Sequence, residues 1–311
     1  MSALPPDLDA WIGKERVQED LLTTAPALAL AATLDRSDHA LHEGAALPHA
    51  WHWIYFQSAA ARSDLGPDGH GKLGAFLPAL PHPRRMWAGG TLRFSGRLRL
   101  GERVTRRSTV ESITPKEGRS GPLIFVTLRH RISNATGVVV DEGQDLVYRP
   151  ASPEASPAGA GAGERGPASA GEPVSERGGA PASTSRQPGP GQQPIWQESF
   201  VADEVTLFRF SALTFNGHRI HYDRPYATGV EGYPGLVVHG PLLALLLLEA
   251  GVRRLRGGDP SGDVRSFRYR ALRPAYCNEP FRLEGLAAEG ALRAVHAERG
   301  VLMEAELLSA P

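Results

Sequence analysis

Two neighbouring stretches decide how this chain is read: Phe210-Ser-Ala-Leu-Thr-Phe-Asn-Gly-His-Arg-Ile-His-Tyr-Asp223, and Gly235-Leu-Val-Val-His-Gly-Pro-Leu-Leu-Ala-Leu-Leu-Leu-Leu-Glu249. The first gathers an amide, two imidazoles and a carboxylate between Asn216 and Asp223. The second is apolar on every side, the pattern of a helix buried all round, and is expected to be helical from about Pro241 to Arg256. Titratable groups leading into a buried helix are how a fold places proton-transfer chemistry at the mouth of an apolar pocket.

Downstream, Val264–Leu272, Pro280–Ala287, Ala291–Arg299 and Val301–Leu308 read as strands, and Glu204–Phe210, just upstream, reads as another. Upstream, Thr91–Leu100, Val104–Ile113, Leu123–Ile132 and Val138–Tyr148 form a second strand-rich block. Pro115–Gly118 and Asn134–Gly137 supply turn chemistry for antiparallel hairpins. Asp9–Leu34 reads as helix, split near Pro26 with a second helix over Ala27–Leu34, and residues 62–90 as a long ordered loop. Each half therefore carries helix and then antiparallel strands, a duplication of architecture without a residue-level repeat. Between the halves, residues 151–193 are rich in Ala, Gly, Pro and Ser, with a single Val174 and no aromatic, Leu or Ile, so a flexible linker is expected.

The chain has 311 residues and equal numbers of basic and acidic side chains, 34 of each, which removes the electrostatic case for nucleic acid. The single cysteine, Cys277, excludes an internal disulfide framework and suits a reducing cytoplasm. The Met1–Asp9 segment lacks the basic and apolar regions of a secretion signal, and Pro241–Leu248 is too short to span a bilayer, so no membrane is expected.

His218 and His221 are open to three readings: metal ligands, an acid/base pair, or surface residues. Zinc recruits three or four ligands; with one cysteine and no His-Glu-x-x-His, no metal is expected. Imidazole gives and takes protons near neutrality, which favours acid/base work. Asp223 could orient a ring, and Asn216 could hold a water or a carbonyl oxygen. His239-Gly-Pro241 begins the apolar helix, where the N–H of Gly240 is placed to stabilise an oxyanion. No Gly-x-Ser-x-Gly nucleophile accompanies these groups, which points to water addition or loss rather than acyl transfer.

These residues resemble the motif of MaoC-like, R-specific enoyl-thioester hydratases, which runs Asp-x-Asn-Pro-aliphatic-His and is followed by His-Gly at the start of the central helix. Asn216-Gly-His-Arg-Ile-His221 keeps the last two positions but has Asn216, His218 and Arg219 where the motif has Asp, Asn and Pro. With Glu231–Gly240, it is similar to a double-hotdog subfamily that includes mesaconyl-CoA and itaconyl-CoA hydratases and type 2 hydroxyacyl-thioester dehydratases. Leu47–Trp53, Pro83–Gly90, Gly118–Gly121 and Gln144–Arg149 extend the similarity into the first half.

The resemblance implies an α+β double hotdog, two antiparallel sheets each wrapped around a long helix. A FAS1-like dehydratase hotdog would occupy residues 1–150 and a MaoC-like hotdog with the catalytic motif residues 194–311. It implies an acyl-CoA substrate, no cofactor, and allows a homodimer. An amide is no base at neutral pH, so the proton has to pass through His221, with His218 as second base or carbonyl donor and Asp223 supporting an imidazole. His239 and Arg219 are then expected at the substrate, Arg219 on an acyl carboxylate and Arg119 on a CoA phosphate. A non-catalytic acyl-thioester binder and a hotdog thioesterase are the rival readings.

Overall fold

The structure is a computed structural model that describes residues 7–37, 40–82, 84–118, 121–150, 193–255 and 264–309. The expected linker lies outside the described residues except for Gln193.

The first half runs β1 (Glu15–Leu21), α1 (Thr24–Thr33), β2 (Arg84–Phe94), β3 (Arg103–Gly118), β4 (Gly121–Asn134) and β5 (Gly137–Arg149). The second half runs β6 (Pro194–Phe200), α2 (Glu204–Thr214), α3 (Arg224–Gly229), α4 (Gly240–Leu255), β7 (Val264–Ala271), β8 (Phe281–Leu286), β9 (Ala291–His296) and β10 (Gly300–Ser309). Across the sheet the order is β1-β3-β4-β5-β2-β7-β10-β9-β8-β6. In both halves the strands lie first, third, fourth, fifth, second, so the duplication expected from the sequence is a duplication of topology. The two second strands, β2 and β7, pair antiparallel with Gly90 opposite Tyr269 and Leu92 opposite Phe267. The two sheets of the double hotdog are thereby one continuous ten-stranded sheet. Glycine at the seam is steric: a Cβ on Gly90 would sit 2.6 Å from the Tyr269 hydroxyl and 2.6 Å from the Gly143 carbonyl oxygen.

α4 fulfils its apolar reading. Leu242, Ala244, Leu247 and Ala250 are fully buried, on several faces of the helix. Arg253 and Arg254 in its last turn complement the helix dipole. Trp51 Nε1 donates to Glu249 at 2.9 Å, and Arg36 pairs with the same carboxylate at 3.3 Å, so α4 is tied to the first half. Among the described residues no helix is long and apolar enough to cross a membrane.

Among the described residues a long helix is present only in the second half. Its counterpart α1 has ten residues, with Pro26 in its first turn. The helix expected over Asp9–Leu34 resolves into a three-residue turn at Asp9–Trp11, strand β1 and α1. In β1 the alternation is inverted: Arg16, Gln18 and Asp20 are the less exposed residues, Val17 and Leu21 the more exposed. The strand expected at Glu204–Phe210 is α2. The Asp203 carboxylate caps it by accepting the Thr206 N–H at 2.8 Å, and Leu207 and Phe210 are buried at helical spacing while Val205 and Phe208 face out. The expected 62–90 loop ends where β2 begins at Arg84, and β3 continues through Pro115–Gly118, which the turn chemistry assigned to a turn.

Candidate active site

α2 stops at Phe215, whose left-handed backbone (φ 50°) turns the chain into the motif. Asn216 Oδ1 accepts the His218 N–H at 3.0 Å, closing a tight turn, and a short 3-10 turn over Arg219–His221 follows. The buried His221 ring is fixed through Nδ1, 2.7 Å from the Val237 carbonyl oxygen. A carbonyl only accepts, so Nδ1 carries the proton and Nε2 the lone pair. His239 stacks on the other side of this ring at 3.6 Å, and its own Nε2 meets the Ser211 hydroxyl at 2.8 Å.

A loop of the first half completes the cluster. Asp68 accepts the His70 N–H at 3.1 Å and His70 Nδ1–H at 2.8 Å. His70 lies 4.2 Å from His218, ring to ring, and His218 lies 5.5 Å from His221, edge to face. The Asp68 carbonyl accepts the Arg219 N–H at 2.9 Å, and the Pro67 carbonyl accepts Arg219 Nη1 at 3.0 Å. Asp68 thus brings a carboxylate of the first half to the His70–His218 pair. The signal was in Gly66-Pro-Asp-Gly-His-Gly71, a glycine-rich turn carrying Asp and His two residues apart, inside a segment read only as loop.

Burial sets the protonation states. It pushes His221 down to about 4, against a smaller upward pull from its bond to Val237. Burial also lowers His218, and the neighbouring His70 and His221 act in the same direction. His70 is lowered by burial and by the charge of Arg85, and His239 chiefly by burial. Burial alone would raise the Asp68 carboxyl, but its hydrogen bonds to His70 hold it below the usual range. At neutral pH the site therefore contains neutral imidazoles beside one ionised carboxylate.

A stability consequence follows. Between about pH 6.5 and 4 the unfolded chain binds a proton at residue 221 that the folded chain refuses, so stability falls as pH falls through that window. His221 alone contributes about 3 kcal/mol to this loss by pH 4. Urea titrations at pH 7 and pH 4.5 should show a clearly lower midpoint in acid; equal midpoints would contradict the buried, neutral assignment.

Several sequence-expected roles are corrected. Arg219 is not free for a substrate carboxylate: Nε and Nη2 both donate to Asp223, at 2.9 and 2.7 Å, and the guanidinium covers the Tyr226 ring. Asp223 supports no imidazole; it caps α3 through the Tyr226 N–H and holds Arg219. His239 has no surface exposed and packs behind His221 rather than on substrate. Arg119 lies outside the described residues. Arg84 pairs with Glu231 at 2.7 Å. Asn216, His218, His221 and Gly240 do come together on one cleft of about 2290 Å³, with His70 and Arg85 from the first half. Trp51 is core, whereas Trp53 lines the cleft. Asp68, His70 and His218 bring ligand-type atoms within 4.8 Å of one another. Asp68 and His70 turn two of those atoms toward each other as an oriented carboxylate–imidazole pair, which suits proton transfer.

The family model described as hydroxyacyl-thioester dehydratase type 2 matches residues 50–175 and 174–277. The chain belongs to this family. The chain is 43% identical over 277 residues to a mesaconyl-C(4)-CoA hydratase of Chloroflexus aurantiacus, covering 89% of this chain and 88% of the relative. It is 28% identical over 305 residues to the mitochondrial type 2 hydroxyacyl-thioester dehydratase of Schizosaccharomyces pombe, covering 86% and 88%. In fold it is similar to a MaoC-like dehydratase from Phytophthora capsici, with a TM-score of 0.65 at 17% identity over 96% of each chain. The matched ranges thus include Asp68 and His70 of the first half and Asn216 to Gly240 of the second.

Proposed function

We infer that the protein interconverts a 2-enoyl-CoA thioester and its 3-hydroxyacyl-CoA by adding or removing water. The observation that carries this is His221: its Nδ1 is committed to Val237, so a neutral ring presents Nε2 as a base at a cleft that also holds the start of α4. In the hydration direction Nε2 takes a proton from water as the water oxygen bonds to the β-carbon. The alkene π pair moves onto the thioester carbonyl oxygen, where the Gly240 N–H at the helix N-terminus stabilises the charge. The enolate then collapses and the α-carbon takes the proton held at Nε2, leaving His221 neutral again. Asn216 uses Oδ1 on the His218 N–H, so its remaining amide N–H groups are the ones available to hold the water. The His221 ring meets His218 edge to face, and beyond His218 lie His70 and ionised Asp68. The mesaconyl-C(4)-CoA hydratase relative favours an acyl group that itself bears a free carboxylate.

A panel of saturated and unsaturated acyl-CoAs, assayed for water addition and for thiol release, tests this. Unsaturated esters should be hydrated with no free thiol produced, and activity should persist in EDTA. Thiol release from saturated esters would indicate a thioesterase, and binding without turnover would indicate a non-catalytic acyl-thioester binder.

A further inference from the structure

The inner face of the first-half sheet carries a polar row where a core face would be apolar. Arg16 on β1 is opposite Ser108 on β3, Ser108 is opposite His130 on β4, and His130 is opposite Glu142 on β5; beside them Gln18 is opposite Arg106. This explains the inverted alternation of β1. Arg16, Arg106, His130 and Glu142 all line the same cleft as His218 and His221.

The two arginines are held in place by everything except a carboxylate. Arg106 lies over the Phe56 ring at 4.8 Å and donates through Nη2 to Gln18 Oε1 at 2.7 Å and the Phe56 carbonyl at 3.0 Å. Arg16 lies over the Phe76 ring at 4.7 Å and reaches the Ser58 hydroxyl at 3.5 Å. Among the described residues neither guanidinium has a carboxylate oxygen within the 4.0 Å of an ion pair, and the buried Nε of each has no hydrogen-bond partner. The nearby acids are engaged elsewhere. Glu142 accepts from Trp53 Nε1 at 3.0 Å and pairs with His52 at 3.0 Å; Asp20 accepts the N–H groups of Phe56 and Leu21 at 2.6 and 2.8 Å. Burial and the charge of Arg16 push Arg106 down to about 10 against a smaller upward pull from Glu142 and Asp20, and burial lowers Arg16 as well. Two guanidinium groups whose buried Nε atoms lack hydrogen-bond partners are costly to keep in a cleft wall, and a planar oxyanion fits such forks.

We propose that Arg16 and Arg106 form a receptor for the free carboxylate of the acyl group, selecting dicarboxylic over uncharged enoyl-CoA substrates. The proposal rests on the hydratase reading for its substrate, but the site itself is an anion site that can be tested without turnover. It replaces Arg219, whose guanidinium is occupied by Asp223.

The test uses the full chain with Arg106→Gln, and Arg16→Gln as a second variant should the first fail to fold. The ratio of kcat/KM for a carboxylate-bearing 2-enoyl-CoA to that for crotonyl-CoA should fall at least about tenfold, the size of a lost charge-assisted hydrogen bond. Arg106→Lys should recover part of the ratio. An unchanged ratio overturns the proposal, including the case where both substrates lose equally, as a CoA-phosphate contact would require. Calorimetry with free fumarate, as a simple unsaturated dicarboxylate, separates this from the hydratase reading. Wild-type binding that weakens at least about tenfold in Arg106→Gln supports the receptor even if no enoyl-CoA turns over. Absence of fumarate binding to the wild type, together with an unchanged kinetic ratio or no turnover, overturns it.

Discussion

His221→Ala should lower kcat for hydration by about 10²–10⁴-fold, the range of a positioned general base, while far-UV circular dichroism stays that of the native sheet. KM should move little by comparison, since the ring acts on water rather than on the CoA moiety. The size of the effect follows from how the ring is held. Nδ1 is tied to the Val237 carbonyl, His239 stacks on the ring, and burial keeps it neutral, so Nε2 offers its lone pair in one fixed tautomer. His221→Gln, which keeps a side chain in the space, should be nearly as inactive. Activity within about threefold of wild type would move the base to His218 or His70, because loss of a positioned general base costs about a hundredfold or more.

The second large effect concerns the contact between halves. Gly69 has φ +89°, and a Cβ there would lie 1.9 Å from the Gly217 carbonyl oxygen; a Cβ on Gly217 would lie 2.7 Å from the Gly69 oxygen. The two loops therefore meet backbone to backbone, and that approach is what brings Asp68 and His70 to His218. Gly69→Ala should cost about 1–3 kcal/mol from backbone strain alone and, by pushing the loops apart, lower kcat more than tenfold, the order of a misplaced catalytic group. Gly71→Ala is the control. Its Cβ would meet only Ala60 Cβ at 3.5 Å, an ordinary contact, so melting temperature and kcat should stay near wild type. Equal behaviour of the two variants in a thermal melt and a turnover assay would remove the glycine contact from the account.

Much of the second half was legible because its signals are local. The all-apolar run of α4 is hydrophobic on every face, and β7–β10 follow in the order the alternation indicates. The β4–β5 hairpin was legible for the same reason, Asn134–Gly137 being turn chemistry flanked by alternating residues. The failures share a cause that is not local. β1 turns Arg16, Gln18 and Asp20 inward because its sheet face walls a polar cleft, and no periodicity rule anticipates that inversion. α2 carries the β-branched and aromatic residues Val205, Phe208 and Phe210, yet the Asp203 cap and the burial of Leu207 and Phe210 hold it helical.

His218, His221 and Gly240, which the motif named as candidates, line one cleft. Asp68 and His70 were not so named, since about 150 residues separate them from the residues they meet. Arg219 and Asp223 were misassigned because adjacent opposite charges at i and i+4 satisfied each other. A motif shows which groups are present; only the packed chain shows which are already engaged.

The most direct test of the central claim is hydration in D₂O. Wild-type protein is incubated with a 2-enoyl-CoA, and the product is read by NMR and for free thiol. A 3-hydroxyacyl-CoA is expected with oxygen on the β-carbon, deuterium delivered to the α-carbon and no released thiol, its formation slowed at least about a hundredfold in His221→Ala. Free CoA thiol in place of the hydroxy ester, or the same product at the same rate from His221→Ala, would contradict that claim.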